Sequence, residues 1–121
     1  MANEKAVLFM GANKPVVGRE QDAINLWIET PGWLDRQQRA NWFQRWDGLW
    51  LTAHGGDVNS MFICYGERAR MDEWRRTDEF EAWVFRAQTC LEDLCISPGV
   101  TSEGMREAFD RRKRALTSSS R

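Results

Sequence analysis

The chain has 121 residues, which suits a single domain that buries about two-thirds of its unfolded surface. Apolar residues make up 42% and charged residues 29%, and the net charge is -1, so no electrostatic feature favours binding to nucleic acid or to an anionic membrane. No apolar run approaches the ~20 residues of a membrane span, and the first residues lack a signal-peptide pattern. We therefore predict a cytoplasmic protein that binds neither nucleic acid nor membrane.

Cysteine and histidine usage bears on metal binding and on redox state. The three cysteines, Cys64, Cys90 and Cys95, form no close metal-type pair, and each lies among apolar neighbours, which predicts buried, reduced thiols. The single histidine has no second histidine or carboxylate cluster at metal-ligand spacing. The sequence accordingly predicts no metal site and no cofactor.

The first predicted elements are a buried strand and a long helix. "KAVLFMG" (5–11) is a short run whose two alternating faces are both apolar, as in a strand covered on both sides. From Arg19 apolar residues recur at helical spacing. Pro31-Gly32 should kink or split this helix because proline removes a hydrogen-bond donor. Asn41 is a suitable residue to end it.

The segment "WFQRWDGLWLTAH" (42–54) admits two interpretations. Asp47-Gly48 is a typical hairpin turn, but the strands that it would join have only about five residues each. We favour one long strand with a bulge at Gly48, in which Trp50, Thr52 and His54 share a face. "GGDVN" then forms a turn, and "SMFICYG" (60–66) is a second strand with two apolar faces.

The C-terminal half is predicted to hold a second helical region, a last strand and a tail. Asp78 and Glu81 have the spacing of a capping box that divides the helical region into two segments. "CISPGV" (95–100) is a short strand that Pro98 places at an edge or an end. Residues 101–121 form a helical or disordered tail. The second segment carries an apolar stripe of Phe80, Trp83, Val84, Ala87, Cys90, Leu91 and Leu94.

The order strand, helix, strand, strand, helix, strand predicts an α+β, ferredoxin-like βαββαβ fold with a four-stranded antiparallel sheet over residues 1–100. Both crossovers are right-handed, so both helices cover the same face. The strands at 5–11 and 60–66 are nevertheless apolar on both faces, whereas an antiparallel sheet with one wet face alternates. We therefore expect a second copy of the sheet to cover the other face, which makes the protein a homodimer.

The pattern over residues 5–100 resembles the small dimeric α+β-barrel proteins, in which two ferredoxin-like subunits pack sheet to sheet. "NKPVVGRE" (13–20) and "HGGD" (54–57) resemble motifs of small, largely uncharacterised bacterial members. The superfamily includes cofactor-independent oxygenases of aromatic polyketides, haem-degrading and dye-decolourising enzymes, and isomerases. The resemblance therefore implies where a site lies but not which reaction it performs.

The predicted topology brings candidate site residues together. The first strand and the 42–54 strand run parallel, so their carboxyl ends place Asn13 beside the turn that contains His54 and Asp57. A cleft there, on the dimer-facing side of the sheet, would have Trp50 and Thr52 in its wall. His54 is then a general base, or a residue that only stabilises its turn.

Two functions follow from this arrangement, and the sequence leaves open whether the protein is an enzyme. In the first, the dimeric barrel binds a small apolar or aromatic molecule near His54. In the alternative, it is a cofactor-independent oxygenase or isomerase of an aromatic, polyketide-like substrate, with His54 as base and Asn13 as hydrogen-bond partner. The tryptophans at 42, 46 and 50 are expected to fill the dimer interface.

Overall fold

The computed structural model describes residues 5–119. Within this range four strands and four helices follow one another. They are β1 (Ala6–Ala12), α1 (Glu20–Arg39), β2 (Arg45–Trp50), β3 (Ser60–Gly66), α2 (Arg68–Trp74), α3 (Asp78–Cys90), β4 (Cys95–Val100) and α4 (Ser102–Ser119).

The four strands form one antiparallel sheet in the order β2-β3-β1-β4. This order confirms the predicted ferredoxin-like α+β fold, in which β1 and β2 run parallel with β3 between them. β3 has the predicted bounds, and β4 lies at an edge, as Pro98 indicated. Proline is tolerated there because an edge strand has one side without ladder hydrogen bonds.

The core lies between the sheet and the helices and is rich in aromatic rings. Leu8, Met10 and Cys64 present the helix-covered face of the central strands, and each is almost fully buried. Trp33 of α1 stacks on Trp83 of α3, with ring centroids 5.6 Å apart and an interplanar angle of 1°. Trp33 also lies 5.7 Å from Trp74 of α2. One indole thus joins three helices, and such ring pairs add stabilisation beyond their buried area.

The polar atoms of these indoles are all paired within the helices. Gln37 accepts a hydrogen bond from Trp74 Nε1 at 2.7 Å and donates one to Glu79. Glu79 also accepts from Trp33 Nε1 at 3.0 Å. At the other end of the stack, Trp83 Nε1 donates to the Thr30 hydroxyl at 3.0 Å. Buried polar groups cost little when they are paired in this way, and the pairs fix one packing of the helices.

Helix α1 passes through Pro31 without interruption, so the predicted split is wrong. The helix continues from Glu20 to Arg39 although Pro31 has no backbone N–H to donate. The end of the helix agrees with the prediction. Asn41 follows the last turn with φ of 66°, the left-handed conformation that asparagine adopts more readily than most residues.

Strand β2 shows that both interpretations of the segment 42–54, the hairpin and the bulged strand, are wrong. Its register to β3 is continuous from Arg45 opposite Tyr65 to Trp50 opposite Ser60, so Gly48 is neither a bulge nor a turn. The strand also ends at Trp50, and residues 51–54 have no regular structure. Thr52 and His54 are therefore not strand residues. Local composition could not reveal this, because the register depends on pairing with β3.

Two further predictions of local structure need correction. The cap of α3 is Thr77, whose hydroxyl accepts from the backbone N–H of Phe80 at 3.2 Å, one residue before the predicted Asp78. Cys64 and Cys90 are buried, but Cys95 is exposed, because its register opposite Gly11 places it on the sheet face that the helices do not cover. Burial raises the pKa of the Cys64 thiol far above its usual range. The predicted apolar stripe on α3 faces the core.

The tail forms a long helix, α4, which extends through Ser119. The N-terminal part of α4 is held against Lys5, the residue before β1, because Lys5 Nζ donates to Glu107 at 2.9 Å, which raises the pKa of Lys5 and lowers that of Glu107. Gly104 is buried there, and a Cβ on it would lie 2.5 Å from the carbonyl oxygen of Lys5. Among residues 5–119, no helix is long and apolar enough to cross a bilayer.

The aromatic network yields a test of stability. Gln37→Met keeps the side-chain volume but leaves the buried indole N–H of Trp74 without its acceptor. We expect the free energy of unfolding to fall by about 1–3 kcal/mol, measured by chemical denaturation. Gln88→Met, on the exposed face of α3, is the matched control and should change it by less than about 0.5 kcal/mol. Equal effects in both variants would contradict the assigned network.

Candidate functional site

An open cleft of about 360 Å³ lies between α1 and the sheet at its β2 edge. Its volume falls within the range of roughly 300–1,000 Å³ typical of small-molecule sites. It lies on the helix-covered side of the sheet. Its wall comprises Ile24, Trp27, Ile28, Pro31, Trp46, Gly48, Leu49, Trp50, Ser60 and Phe62.

The helical wall of the cleft is a second apolar stripe on α1. Ile24, Trp27, Ile28 and Pro31 recur at helical spacing, beside the stripe that α1 buries in the core. Ile28 is 72% exposed and Ile24 is 43% exposed, so the stripe is largely open to solvent. Exposed apolar residues that cluster around a concavity are typical of a binding site rather than of an ordinary surface.

The sheet wall follows from the period of two in β2. Trp46, Gly48 and Trp50 alternate along the strand and face α1, opposite the helix-covered residues of β3. A Cβ at Gly48 would lie 3.2 Å from the ring of Phe62, so glycine keeps this part of the wall open. The rings of Trp27 and Trp50 meet across the cleft, with centroids 4.4 Å apart.

The wall contains no charged side chain. The charged residues of β2, Arg45 and Asp47, have the opposite parity and form an ion pair at 3.1 Å on the other face of the sheet. Arg45 also lies over the ring of Tyr65, 3.7 Å from its centroid. The polar side-chain atoms that the wall does contain are indole N–H groups and the Ser60 hydroxyl. The cleft therefore suits an uncharged ligand.

A separate polar cluster lies where β1 and the loop after β2 meet. Asn59 Nδ2 donates to Asn13 Oδ1 at 2.6 Å and lies 3.3 Å from the carbonyl oxygen of Gly56. Asn13 Nδ2 in turn donates to Asp93 at 3.0 Å. These bonds bring together the end of β1, the loop 51–59 and the turn before β4, as the parallel strand ends predicted. They hold the loop in place.

His54 is an exposed residue whose ring bonds within its own loop. Nδ1 accepts from the backbone N–H of Gly56 at 3.1 Å, so the proton of the neutral ring is on Nε2, which donates to the carbonyl of Val58 at 3.1 Å. Both ring nitrogens are thus engaged with backbone atoms. This geometry is that of a residue that shapes a turn.

The structure separates the residues that the sequence grouped into one site. Trp50 lines a cleft, but on the helix-covered side of the sheet rather than on the opposite face, where the cleft was predicted. Trp46 has the same orientation. Neither ring therefore lies on the opposite face of the sheet, where both were predicted to lie. Thr52, His54 and Asp57 lie exposed on the loop 51–59, outside the cleft wall.

Asn13 belongs to the polar cluster rather than to the cleft. Sequence reasoning missed Asn59 and Asp93, because their proximity to Asn13 is set by the pairing of distant strands. It also missed the α1 wall of the cleft. The signal for that wall was present in the helical spacing of Ile24, Trp27 and Ile28, which lie on a second face of α1 beside the buried one.

No protein-family model matches the chain, and no curated protein matches it. The fold is therefore shown by the strand order alone. The resemblance of "NKPVVGRE" and "HGGD" to motifs of dimeric α+β-barrel proteins stays a prediction.

The bonds of His54 predict the result of removing its ring. His54→Ala loses two local hydrogen bonds in an exposed loop, and the free energy of unfolding should fall by about 0.5–1.5 kcal/mol. Amide hydrogen exchange should accelerate at Gly56. Ligand binding in the cleft should be unchanged, because the ring does not line it. A large loss of ligand affinity without a change in stability would instead place His54 in the site.

Proposed function

We propose that the protein binds a small apolar or aromatic molecule in the cleft between α1 and β2. One observation carries the proposal, which is that an open, uncharged concavity is lined by three tryptophan rings. Trp50 is 66% exposed in spite of its size. Covering such a ring would remove a large apolar area from water, which stabilises a complex.

The geometry favours binding over the alternative of a cofactor-independent oxygenase or isomerase. General base catalysis requires a titratable group within hydrogen-bond reach of the substrate. The cleft wall contains no such acid or base, and His54 bonds to the backbone of its own loop. Binding alone accounts for the apolar wall, so we place the protein among binding modules.

The proposal includes a homodimer formed through the sheet face opposite the helices. Register places five apolar or aromatic side chains of the two central strands on that face, each of them half-buried. An antiparallel sheet with a solvated face alternates polar and apolar residues, and these strands do not. The side chains are Val7, Phe9, Met61, Ile63 and Tyr65.

The binding proposal is tested with a neutral fluorescent probe, N-phenyl-1-naphthylamine. Ile28→Asp introduces a carboxylate into the uncharged wall and should weaken probe binding about tenfold or more, since the probe loses apolar contact and gains an unpaired charge. Phe85→Asp is the matched control, because Phe85 is 71% exposed on α3 and Ile28 is 72% exposed on α1. Equal losses in both variants, or no binding to the wild type, would contradict the proposal.

The dimer is tested by sedimentation equilibrium. We expect the wild type to sediment as a dimer at micromolar concentration, because a specific sheet-to-sheet interface buries on the order of 1,200–2,000 Å². Ile63→Lys places a charge at the centre of the apolar face and should yield a folded monomer with an unchanged circular dichroism spectrum. A wild type that is already a folded monomer under these conditions would rule the interface out.

A further inference from the structure

We infer that the ligand of the α1–β2 cleft is a neutral ring compound that carries a hydrogen-bond acceptor, and that unpaired donors of the wall, the indole N–H groups and the Ser60 hydroxyl, select it. The inference rests on the proposed binding function and narrows its ligand class. It depends on which polar atoms of the wall are already committed to partners within the protein.

The three tryptophans of the wall differ in whether their indole N–H group has a hydrogen-bond partner within the protein. Trp46 Nε1 donates to Asp35 at 2.9 Å, so its proton is already used. Within residues 5–119, the N–H groups of Trp27 and Trp50 have no hydrogen-bond partner. In the core, by contrast, the indoles of Trp33 and Trp74 each donate to a side chain. Trp42 Nε1 also has no partner within these residues, but Trp42 lies outside the cleft. The wall thus contains two indole donors, those of Trp27 and Trp50, that the described residues leave unpaired.

Burial shows that these free donors are accessible. Across the described residues, every buried side-chain nitrogen or oxygen has a partner. Trp27 is half-buried, so its unpaired N–H is reached by solvent. Ser60 lines the cleft and is only 5% exposed. Because its hydroxyl is not among the buried unpaired atoms, that hydroxyl is also reached by solvent. A ligand that displaces solvent from these donors must supply a hydrogen-bond acceptor, because the donors otherwise lose their hydrogen bonds to water.

The lack of a cationic side chain in the wall disfavours anionic ligands of comparable shape. An anion that enters the cleft leaves water without meeting a cation, and the Asp35 carboxylate lies at the Trp46 end. A cation is attracted to the faces of the rings, but it leaves the indole N–H groups and the Ser60 hydroxyl without an acceptor. A carbonyl oxygen on a flat apolar body satisfies a donor at a smaller desolvation cost. The wall therefore favours a neutral acceptor.

Three probes of one shape test the inference by titration calorimetry. They are 2-acetylnaphthalene, 2-isopropenylnaphthalene, in which a methylene replaces the carbonyl oxygen, and the anion 2-naphthoate. We expect naphthoate to bind at least about tenfold more weakly than the ketone. The ratio of ketone to alkene affinity should fall by about 2- to 10-fold in at least one of Trp27→Phe, Trp50→Phe and Ser60→Ala.

Trp46→Phe is the matched control, because Trp46 lines the same cleft but its N–H is committed to Asp35. It should leave the ratio unchanged. A ratio that stays constant in all four variants, or naphthoate binding as tightly as the ketone, overturns the inference while the proposed binding function stands. Failure of all three probes to bind the wild type overturns both.

Discussion

The position of α1 depends on the stacking of Trp33 between Trp83 and Trp74. The rings lie 5.6 and 5.7 Å apart by centroid and join α1 to α3 and α2. Contact between flat rings alone would allow the helices to slide past one another. The hydrogen bonds of the indoles to Gln37, Glu79 and Thr30 fix one position of α1 relative to α2 and α3. Well-satisfied buried polar groups have this effect because any other packing leaves a donor unpaired.

A helix fixed at its C-terminal half leaves its N-terminal half to form the cleft. α1 carries two apolar stripes, one that packs in the core and one that includes Ile24 and Ile28 and faces the edge of the sheet. β2 brings Trp46 and Trp50 toward that second stripe, and Gly48 between them adds no side chain. The cleft is thus a consequence of a long helix that passes over a short edge strand, and it persists because both walls belong to regular elements.

The sequence predicted the fold well because the fold depends on local patterns. Apolar runs located β1, β3 and β4, and Asn41 and Pro98 indicated a helix end and an edge strand. The site was predicted less well for a physical reason. Whether Trp50 faces the helices or the opposite side is decided by the register of β2 on β3, and a single-residue change of register reverses it. The free or committed state of each indole N–H depends on partners such as Asp35 that are distant in the chain.

The most direct test of the binding account is to locate a bound neutral probe by nuclear magnetic resonance. Isoleucine methyl groups report on both faces of the sheet, because Ile24 and Ile28 line the cleft and Ile63 lies on the opposite face. With N-phenyl-1-naphthylamine bound to methyl-labelled protein, we expect intermolecular nuclear Overhauser effects to the methyls of Ile24 and Ile28 and none to Ile63. Effects to Ile63 without effects to the two α1 residues would contradict it.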